Sequence, residues 1–312
     1  MTTAVIFTGQ GAQRPGMADP WLEHPASAAV LAEAAEVLGY DLAAACSEEA
    51  NLERTEVAQP ALFACGVAAY RVLAEHGLSP AVVAGHSLGE FAALVAAGVL
   101  GLREALEVVS VRAAAMGEAA AAHEGAMTAI LGSGAGELAG RVVGRVLADS
   151  CAGVLVVAND NGPRQVVLSG TVPAISRAEE LVRAAGGRVT RLKVAGAFHS
   201  PLMAPAAARL NEVLGGLTWN PPGPMVIPNV TGMPTDDPAL LANLAGRHLL
   251  APVRWADTVR ALDSMGVTEV VECGPAPVLT ALSKQQLAGV DFHHVATPEG
   301  ARAAAGPALA VG

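Results

Sequence analysis

Lysine is almost missing from this 312-residue chain: Lys193 and Lys284 are the only two, and the rest of its nineteen basic residues are arginine. Twenty-nine acidic residues outweigh them and leave a formal net charge of −10. With that sign and no polybasic tract, the chain lacks the electrostatic footprint of a general nucleic-acid binder and of a protein that docks on anionic lipid. Charged residues make up 15% and aromatics 3%, against 52% hydrophobic residues. Such a balance excludes a disordered chain and supplies ample apolar material for a core. The length suits one large domain or two modest ones. Cysteine is sparse: Cys46, Cys65, Cys151 and Cys273 are scattered, with no CxxC and no Cys/His cluster. No metal site is expected, and a chain this long needs no disulfide, so reduced core thiols are expected. Apolar runs are broken by Gly, Glu or Arg before reaching about 18 residues, so no membrane span is expected. The start, Thr2-Thr3-Ala4-Val5-Ile6-Phe7, lacks the basic region, apolar stretch and cleavage site of a signal peptide. The expectation is a cytoplasmic protein with neither nucleic-acid nor membrane partner.

What is present alternates. Val5-Ile6-Phe7 is a β-prone run ending at the glycine-rich loop Gly9-Gln10-Gly11-Ala12-Gln13. Residues 26–38 and 60–76 read as alanine-rich helices, joined by a polar connector from Asn51 to Pro60. Ala81-Val82-Val83-Ala84 reads as a buried strand, residues 85–89 as a turn, residues 90–99 as a buried helix and residues 102–120 as an amphipathic one. Strands alternating with helices predict a parallel sheet covered on both faces. The middle has a different rhythm. Strands at 126–131, 154–158, 165–169 and 188–194 and helices at 137–147 and 172–185 give the β-α-β-β-α-β order of a ferredoxin-like unit, with a loop at Asn159-Asp160-Asn161-Gly162-Pro163. Alternation resumes afterwards, with strands at 226–229 and 269–272 and helices at 237–247, 255–265 and 277–286. The unit therefore reads as an insertion: residues 126–195 form a small subdomain, and 1–125 with 196–312 a large one. The Ala/Gly-rich tail beyond 298 reads as frayed.

Gly85-His86-Ser87-Leu88-Gly89 fits G-x-S-x-G where a strand meets a helix, the setting of a nucleophile elbow. The turn is tight, so its flanks must lack bulk, and the helix start aims backbone N–H groups at any nearby oxyanion. A serine needs a base to lose its proton at neutral pH. Of eight histidines, His24, His76 and His123 read as surface residues, His293 and His294 lie near the frayed end, and His86 adjoins the serine as a structural residue. His199, in Gly196-Ala197-Phe198-His199-Ser200-Pro201, leaves a domain junction on a loop and is a candidate base. Arg112 lies in an apolar helix, Val108 to Met116. On its residues alone it reads as a helix-surface or snorkelling arginine.

These segments, with Cys273-Gly274-Pro275, occur in the order and spacing of a known family. From Val5 to about Leu287 the chain resembles the malonyl-CoA:acyl carrier protein transacylases, and equally the discrete acyltransferases that serve polyketide synthases. The resemblance implies an α/β-hydrolase-like core with a parallel sheet and an inserted ferredoxin-like subdomain, in agreement with the alternation above. It implies malonyl transfer from coenzyme A, a substrate rather than a cofactor, to the phosphopantetheine thiol of an acyl carrier protein, by a usually monomeric enzyme. Ser87 is then the nucleophile, His199 its base, and Gln10 an oxyanion contributor alongside the Leu88 N–H. Arg112 matches the arginine that binds the malonyl carboxylate, and a guanidinium suits that role by forming two parallel bonds. Phe198 and Leu88 are the family's marks of malonyl over methylmalonyl. Asn161 matches an asparagine near the acyl pocket and reads equally as a turn residue beside Gly162. Met116 and His248 complete the expected substrate contacts.

The departures are specific. Thr8 stands where the family commonly has proline, Ala113 where glycine usually follows the arginine, and His248 where stand-alone bacterial enzymes usually carry glutamine. The backbone carbonyl at that last position orients the catalytic histidine in the family, a role that survives a side-chain change. Histidine there is familiar from polyketide-type acyltransferases. Carrier proteins of this kind are acidic, so an acidic enzyme needs a local basic patch; Arg164, Arg188, Arg191, Lys193, Lys284 and Arg254 are candidates. The competing functions are a trans-acting acyltransferase for a substituted malonyl or other unit, a proofreading hydrolase, which typically lacks the arginine, and a carrier-docking scaffold, which has no use for an elbow serine.

Overall fold

The computed structural model describes residues 2–148 and 153–306; Cys151 lies outside them. The chain opens with β1 (Thr3–Phe7), α1 (Pro25–Leu38), α2 (Leu42–Cys46), α3 (Glu49–Leu52) and α4 (Thr55–Glu75), then β2 (Val82–Gly85), α5 (Gly89–Ala96) and α6 (Leu102–Ala122). Next come β3 (Gly125–Leu131), α7 (Ala135–Leu147), β4 (Leu155–Gly162), β5 (Gln165–Thr171), α8 (Val172–Ala184) and β6 (Arg188–Arg191). The chain returns through α9 (Ala204–Leu214), β7 (Met225–Ile227), α10 (Pro238–Arg247), α11 (Trp255–Ser264), β8 (Glu269–Cys273), α12 (Val278–Ser283), β9 (Asp291–Val295) and α13 (Pro298–Ala304).

The large sheet is parallel, in the order β7-β2-β1-β8-β9. Its central strand β1 alternates with period two between faces. Val5 and Phe7 join the core shared with α4, α5 and α6, while Ala4 and Ile6 join Trp255, Val259 and Leu262 of α11 on the other side. Burial on both faces is why the strand is an unbroken apolar run. The small sheet is antiparallel, in the order β4-β5-β3-β6, which is the ferredoxin-like arrangement. Alternation again divides its labour. Ile130 and Leu168 pack under α7 and α8, whereas Met127, Ala129 and Val167 face the main core.

Three departures from the sequence reading have physical causes. The segment 51–60 is not a connector: α4 begins at Thr55 and runs through Pro60. Burial of Thr55, Val57, Ala58 and Gln59 outweighs the hydrogen bond that proline removes. The segment 159–162 is strand rather than loop, because β4 continues to Gly162 through two register shifts. Its polar backbone is held by Val253, whose N–H donates to the Ala158 carbonyl at 2.8 Å and whose carbonyl accepts from Asp160 at 2.9 Å. The end of the chain is ordered as far as it is described. His293 and His294 sit on the edge strand β9, and α13 is capped by Thr297, whose Oγ1 accepts from the Gly300 N–H at 3.1 Å. Helix α9 had no counterpart in the sequence reading. Helix α4 is also long and apolar enough to cross a membrane, with a mean hydropathy of 1.4 over its most apolar stretch, but 83% of that stretch is buried inside the protein. Cys46, Cys65 and Cys273 are buried and free.

Candidate active site

The site forms where β2 ends and α5 begins. Ser87 stands between them with φ at 50°, a left-handed conformation that side chains avoid. Glycines make the bend possible. A Cβ on Gly85 would collide with the Gly89 backbone, and one on Gly89 with the Phe7 carbonyl. The Ser87 N–H donates to Asn229 Oδ1 at 2.6 Å. Leu88, the N-cap of α5, lies at the positive end of that helix.

His199 arrives from the loop before α9. Its Nε2 lies 2.8 Å from Ser87 Oγ. Its Nδ1 lies 3.1 Å from the carbonyls of both His248 and Ala251. Carbonyls only accept, so Nδ1 carries the proton and Nε2 presents its lone pair to the serine. Two main-chain oxygens thus occupy the place that a carboxylate fills in a Ser-His-Asp triad. The ring is 4% exposed on a residue basis. Burial, then the Arg112 cation and His86, push its pKa down to about 3. The imidazole is therefore neutral at pH 7 and free to accept a proton.

Arg112 is 1% exposed, which rejects the surface and snorkelling readings. Its Nη2 donates to Ser87 Oγ at 3.1 Å, and its Nη1 donates to Gln59 Oε1. The Phe91 ring lies 5.8 Å from Cζ, a cation–π distance. Among the described residues Nε has no hydrogen-bond partner, and no carboxylate makes an ion pair with this guanidinium. Burial lowers its pKa to about 9, while Glu90 opposes the shift, so the group stays cationic at neutral pH. A buried cation with a spare donor is costly unless an anion joins it, and its place beside the serine suits it to a carboxylate.

A cavity of about 430 Å³ adjoins these groups. Ser87, Leu88, His199, Arg112 and Gln10 border it, as do Met116, Phe198 and Asn161. Gln10 has its side-chain amide engaged, with Nε2 donating to Thr55 Oγ1 at 3.3 Å. Asn161 Nδ2 donates to Gln165 Oε1 at 2.7 Å, and its Oδ1 accepts from His86 Nε2 at 2.8 Å. His86 is thereby occupied, with Trp255 5.6 Å away between ring centres. His248 does not reach the cavity, contrary to its placement among the substrate contacts. It packs behind His199, 5.3 Å between ring centres, and against Phe91. Burial lowers its pKa, and Arg112 lowers it further.

The departures also acquire meanings. Thr8 donates its N–H to the Cys273 carbonyl at 3.2 Å, a bond that proline cannot make. Ala113 is fully buried but lies outside the cavity lining. Of the basic candidates, Arg191 pairs with Glu179 at 2.6 Å and Arg254 pairs with Asp257, so neither is a free cation. Lys193 borders the cavity, and Arg164 and Arg188 border an adjoining cleft. Sequence reasoning missed Gln59, Glu90 and Asn229. Glu90 and Asn229 left a trace: a charged residue in a buried helix for Glu90, and the carboxyl end of a parallel strand for Asn229. Gln59 was hidden in the supposed connector.

Residues 4–302 match the acyl transferase domain family. A malonyl CoA-acyl carrier protein transacylase of Escherichia coli O157:H7 is 38% identical over 288 residues, covering 90% of this chain and 92% of that one. The malonyl CoA-acyl carrier protein transacylase from Coxiella burnetii superposes with a TM-score of 0.92 at 33% identity, over 99% and 98% of the two chains. A malonyl-transacylase in complex with its type II PKS acyl-carrier protein superposes with a TM-score of 0.91 at 36% identity, over 97% and 99%.

Proposed function

The chain belongs to the acyl transferase domain family, and from that premise we infer that Ser87 carries a malonyl group between two thiols. The protein is a malonyl-CoA:acyl carrier protein S-malonyltransferase of fatty acid or polyketide synthesis. The observation that carries the assignment of roles is the convergence on one oxygen: His199 Nε2 at 2.8 Å and Arg112 Nη2 at 3.1 Å from Ser87 Oγ.

In the first half-reaction the Ser87 hydroxyl gives its proton to His199 Nε2 as Oγ attacks the thioester carbonyl. The carbonyl oxygen takes up charge. The Leu88 N–H at the helix start receives it, and with the Gln10 amide tied to Thr55, the contribution from Gln10 falls to its backbone N–H. One such donor contributes about 3 kcal/mol. The carbon–sulfur bond then breaks, and the coenzyme A sulfur leaves with the proton held on His199. In the second half-reaction the phosphopantetheine thiol gives its proton to the same nitrogen and attacks the ester. Oγ departs and is reprotonated. One site used twice gives ping-pong kinetics.

Arg112 selects the acyl group. The malonyl carboxylate lies two bonds from the ester carbon, within reach of a guanidinium that already touches Oγ. An acyl chain without the carboxylate leaves the cation unpaired, which penalises it. Phe198 narrows the cavity beside the α-carbon and favours malonyl over methylmalonyl by about 1–3 kcal/mol. Arg112 also speaks against a proofreading hydrolase. We place the enzyme in the cytoplasm as a monomer, with Lys193, Arg164 and Arg188 meeting the acidic carrier.

Incubation with radiolabelled malonyl-CoA tests the assignment. Stable label on the protein, absent in Ser87→Ala and passed to a holo carrier, is the expected result. Free malonate without transfer identifies a hydrolase instead, and no labelling a scaffold.

A further inference from the structure

We propose that Asn229, anchored by Glu90, is the positioning residue that holds the Ser87 peptide in its left-handed conformation and so aims the nucleophile. The proposal rests on Ser87 being the acylated residue. Strand β7 pairs with β2 from Val82 to Ala84, and just beyond that ladder the elbow turns away. Asn229, 2% exposed, takes over there with its side chain. Oδ1 accepts the Ser87 N–H at 2.6 Å, and Nδ2 donates to the Gly85 carbonyl at 2.5 Å. The two bonds grip the main chain on both sides of His86. A carboxamide is suited to this, since it carries one acceptor and one donor group on the same plane.

Asn229 is itself fixed. Its backbone N–H donates to Glu90 Oε2 at 2.7 Å, and its carbonyl accepts from the Arg254 N–H at 3.0 Å. Glu90 lies three residues after the serine, in the first turn of α5. A closed ring results: Ser87 to Asn229 by one bond, Asn229 to Glu90 by another, and Glu90 back to Ser87 along the chain. Without it, the Ser87 N–H and the Gly85 carbonyl would be stranded at a buried strand end, and nothing would oppose relaxation of φ toward ordinary values. Neither Asn229 nor Glu90 borders the cavity. Their effect is therefore on the aim of Oγ, with malonyl-CoA binding untouched.

The test measures two rates at Ser87 in Asn229→Ala, Asn229→Asp and Glu90→Gln. One is single-turnover acylation by malonyl-CoA; the other is phosphonylation by a small fluorophosphonate, which reads the nucleophile without the malonyl site. Asn229→Ala is expected to slow both by about 100-fold, the scale of a misplaced reacting atom, with KM for malonyl-CoA unchanged. Asn229→Asp, which keeps the acceptor for Ser87 and loses the donor to Gly85, is expected to fall between Asn229→Ala and the parent. Glu90→Gln keeps an oxygen for the Asn229 N–H and is expected to retain most of both rates. Parent rates per folded molecule in Asn229→Ala overturn the proposal, as does a loss confined to KM. Should Asn229→Ala not fold, parent rates in Asn229→Asp overturn it equally. A parent protein that reacts with the fluorophosphonate but takes no label from malonyl-CoA sinks the functional assignment alone.

Discussion

Ser87 and His199 are the only non-glycine positions among the described residues with positive φ, at 50° and 55°, and their side chains meet at 2.8 Å. Each strained residue has a side-chain clamp beside it. Asn229 holds the Ser87 peptide, and Ser200 Oγ, which donates to the Ala197 carbonyl at 2.6 Å, braces the loop at His199. Such conformations cost about 1–3 kcal/mol each and persist only when their surroundings impose them. Comparing Ser87→Ala with Ser87→Gly isolates the strain, since both lack the hydroxyl. Glycine tolerates the bend, so Ser87→Gly should be more stable than Ser87→Ala by about 1 kcal/mol in denaturant titration, with neither taking up malonyl label. Equal stabilities would mean that the elbow stores no strain.

The neutral imidazole has a kinetic consequence. With a pKa near 3, set by burial and then by Arg112, His199 stays unprotonated through mild acid. A histidine at its ordinary 6.5 would lose about 30-fold of its basic form by pH 5. We expect kcat/KM for malonyl-CoA to show no such fall between pH 7 and pH 5. An acid limb near 6.5 would show that burial and the Arg112 cation do not depress the His199 imidazole.

Gln59 fixes the Arg112 head through Nη1 and also donates to Met116 Sδ at 3.5 Å. Loss of a hydrogen bond to a charged group corresponds to about 10-fold or more. Gln59→Ala should therefore raise KM for malonyl-CoA by about 10-fold while leaving phosphonylation of Ser87 unchanged. Arg112→Ala should go further and abolish the preference for malonyl over acetyl units. A retained preference would remove Arg112 from the carboxylate site.

What was legible in the sequence was whatever local chemistry encodes. The apolar run Val5-Ile6-Phe7 gave a strand, and Gly85 and Gly89 around Ser87 gave the elbow. His199 was legible as a candidate base on a loop between glycine and proline, and its assignment to Ser87 needed the family resemblance. The roles of Asn229 and Gln59 were not legible, because they exist only through contacts 142 and 53 residues away along the chain. Proline misled at position 60, where tertiary burial overrides a local breaker. The polar run at 159–162 misled because part of its backbone is held by Val253, which comes from another part of the chain.

The basic patch was drawn from sequence clustering, and ion pairing divides it. Arg191 is held by Glu179, whose carboxyl remains below its usual range through its bonds to Arg191 and others, against the raising effect of burial. Lys193 borders the cavity, and Arg188 borders the adjoining cleft. Charge reversal at Lys193 and Arg188 should raise KM for the carrier protein more than KM for malonyl-CoA, and more strongly at low salt. Arg191→Glu should instead act mainly by breaking the pair with Glu179, at a modest loss of stability. Equal effects on both substrates would rule out a carrier-docking role for Lys193 and Arg188.

Glu90 couples the elbow to pH. Burial raises its pKa to about 7, against the lowering effects of the Asn229 hydrogen bond and Arg112. His248 Nε2 lies 3.8 Å from its Oε2 and is held neutral by its own burial. A carboxyl whose folded pKa exceeds its unfolded value stabilises the fold fully below about 4.5, and that contribution is lost as pH rises through 7. The histidines act in the opposite sense: His199 and His248, with depressed pKa values, contribute stability above about 6.5 that is lost as pH falls. Glu90→Gln removes only the first effect. The stability of this variant relative to the parent should therefore rise between pH 4.5 and pH 7.5, by up to about 3 kcal/mol, in parallel urea titrations across that range. A difference that stays flat with pH would mean that Glu90 remains ionised throughout, and its buried charge would then have to be balanced by Arg112 alone.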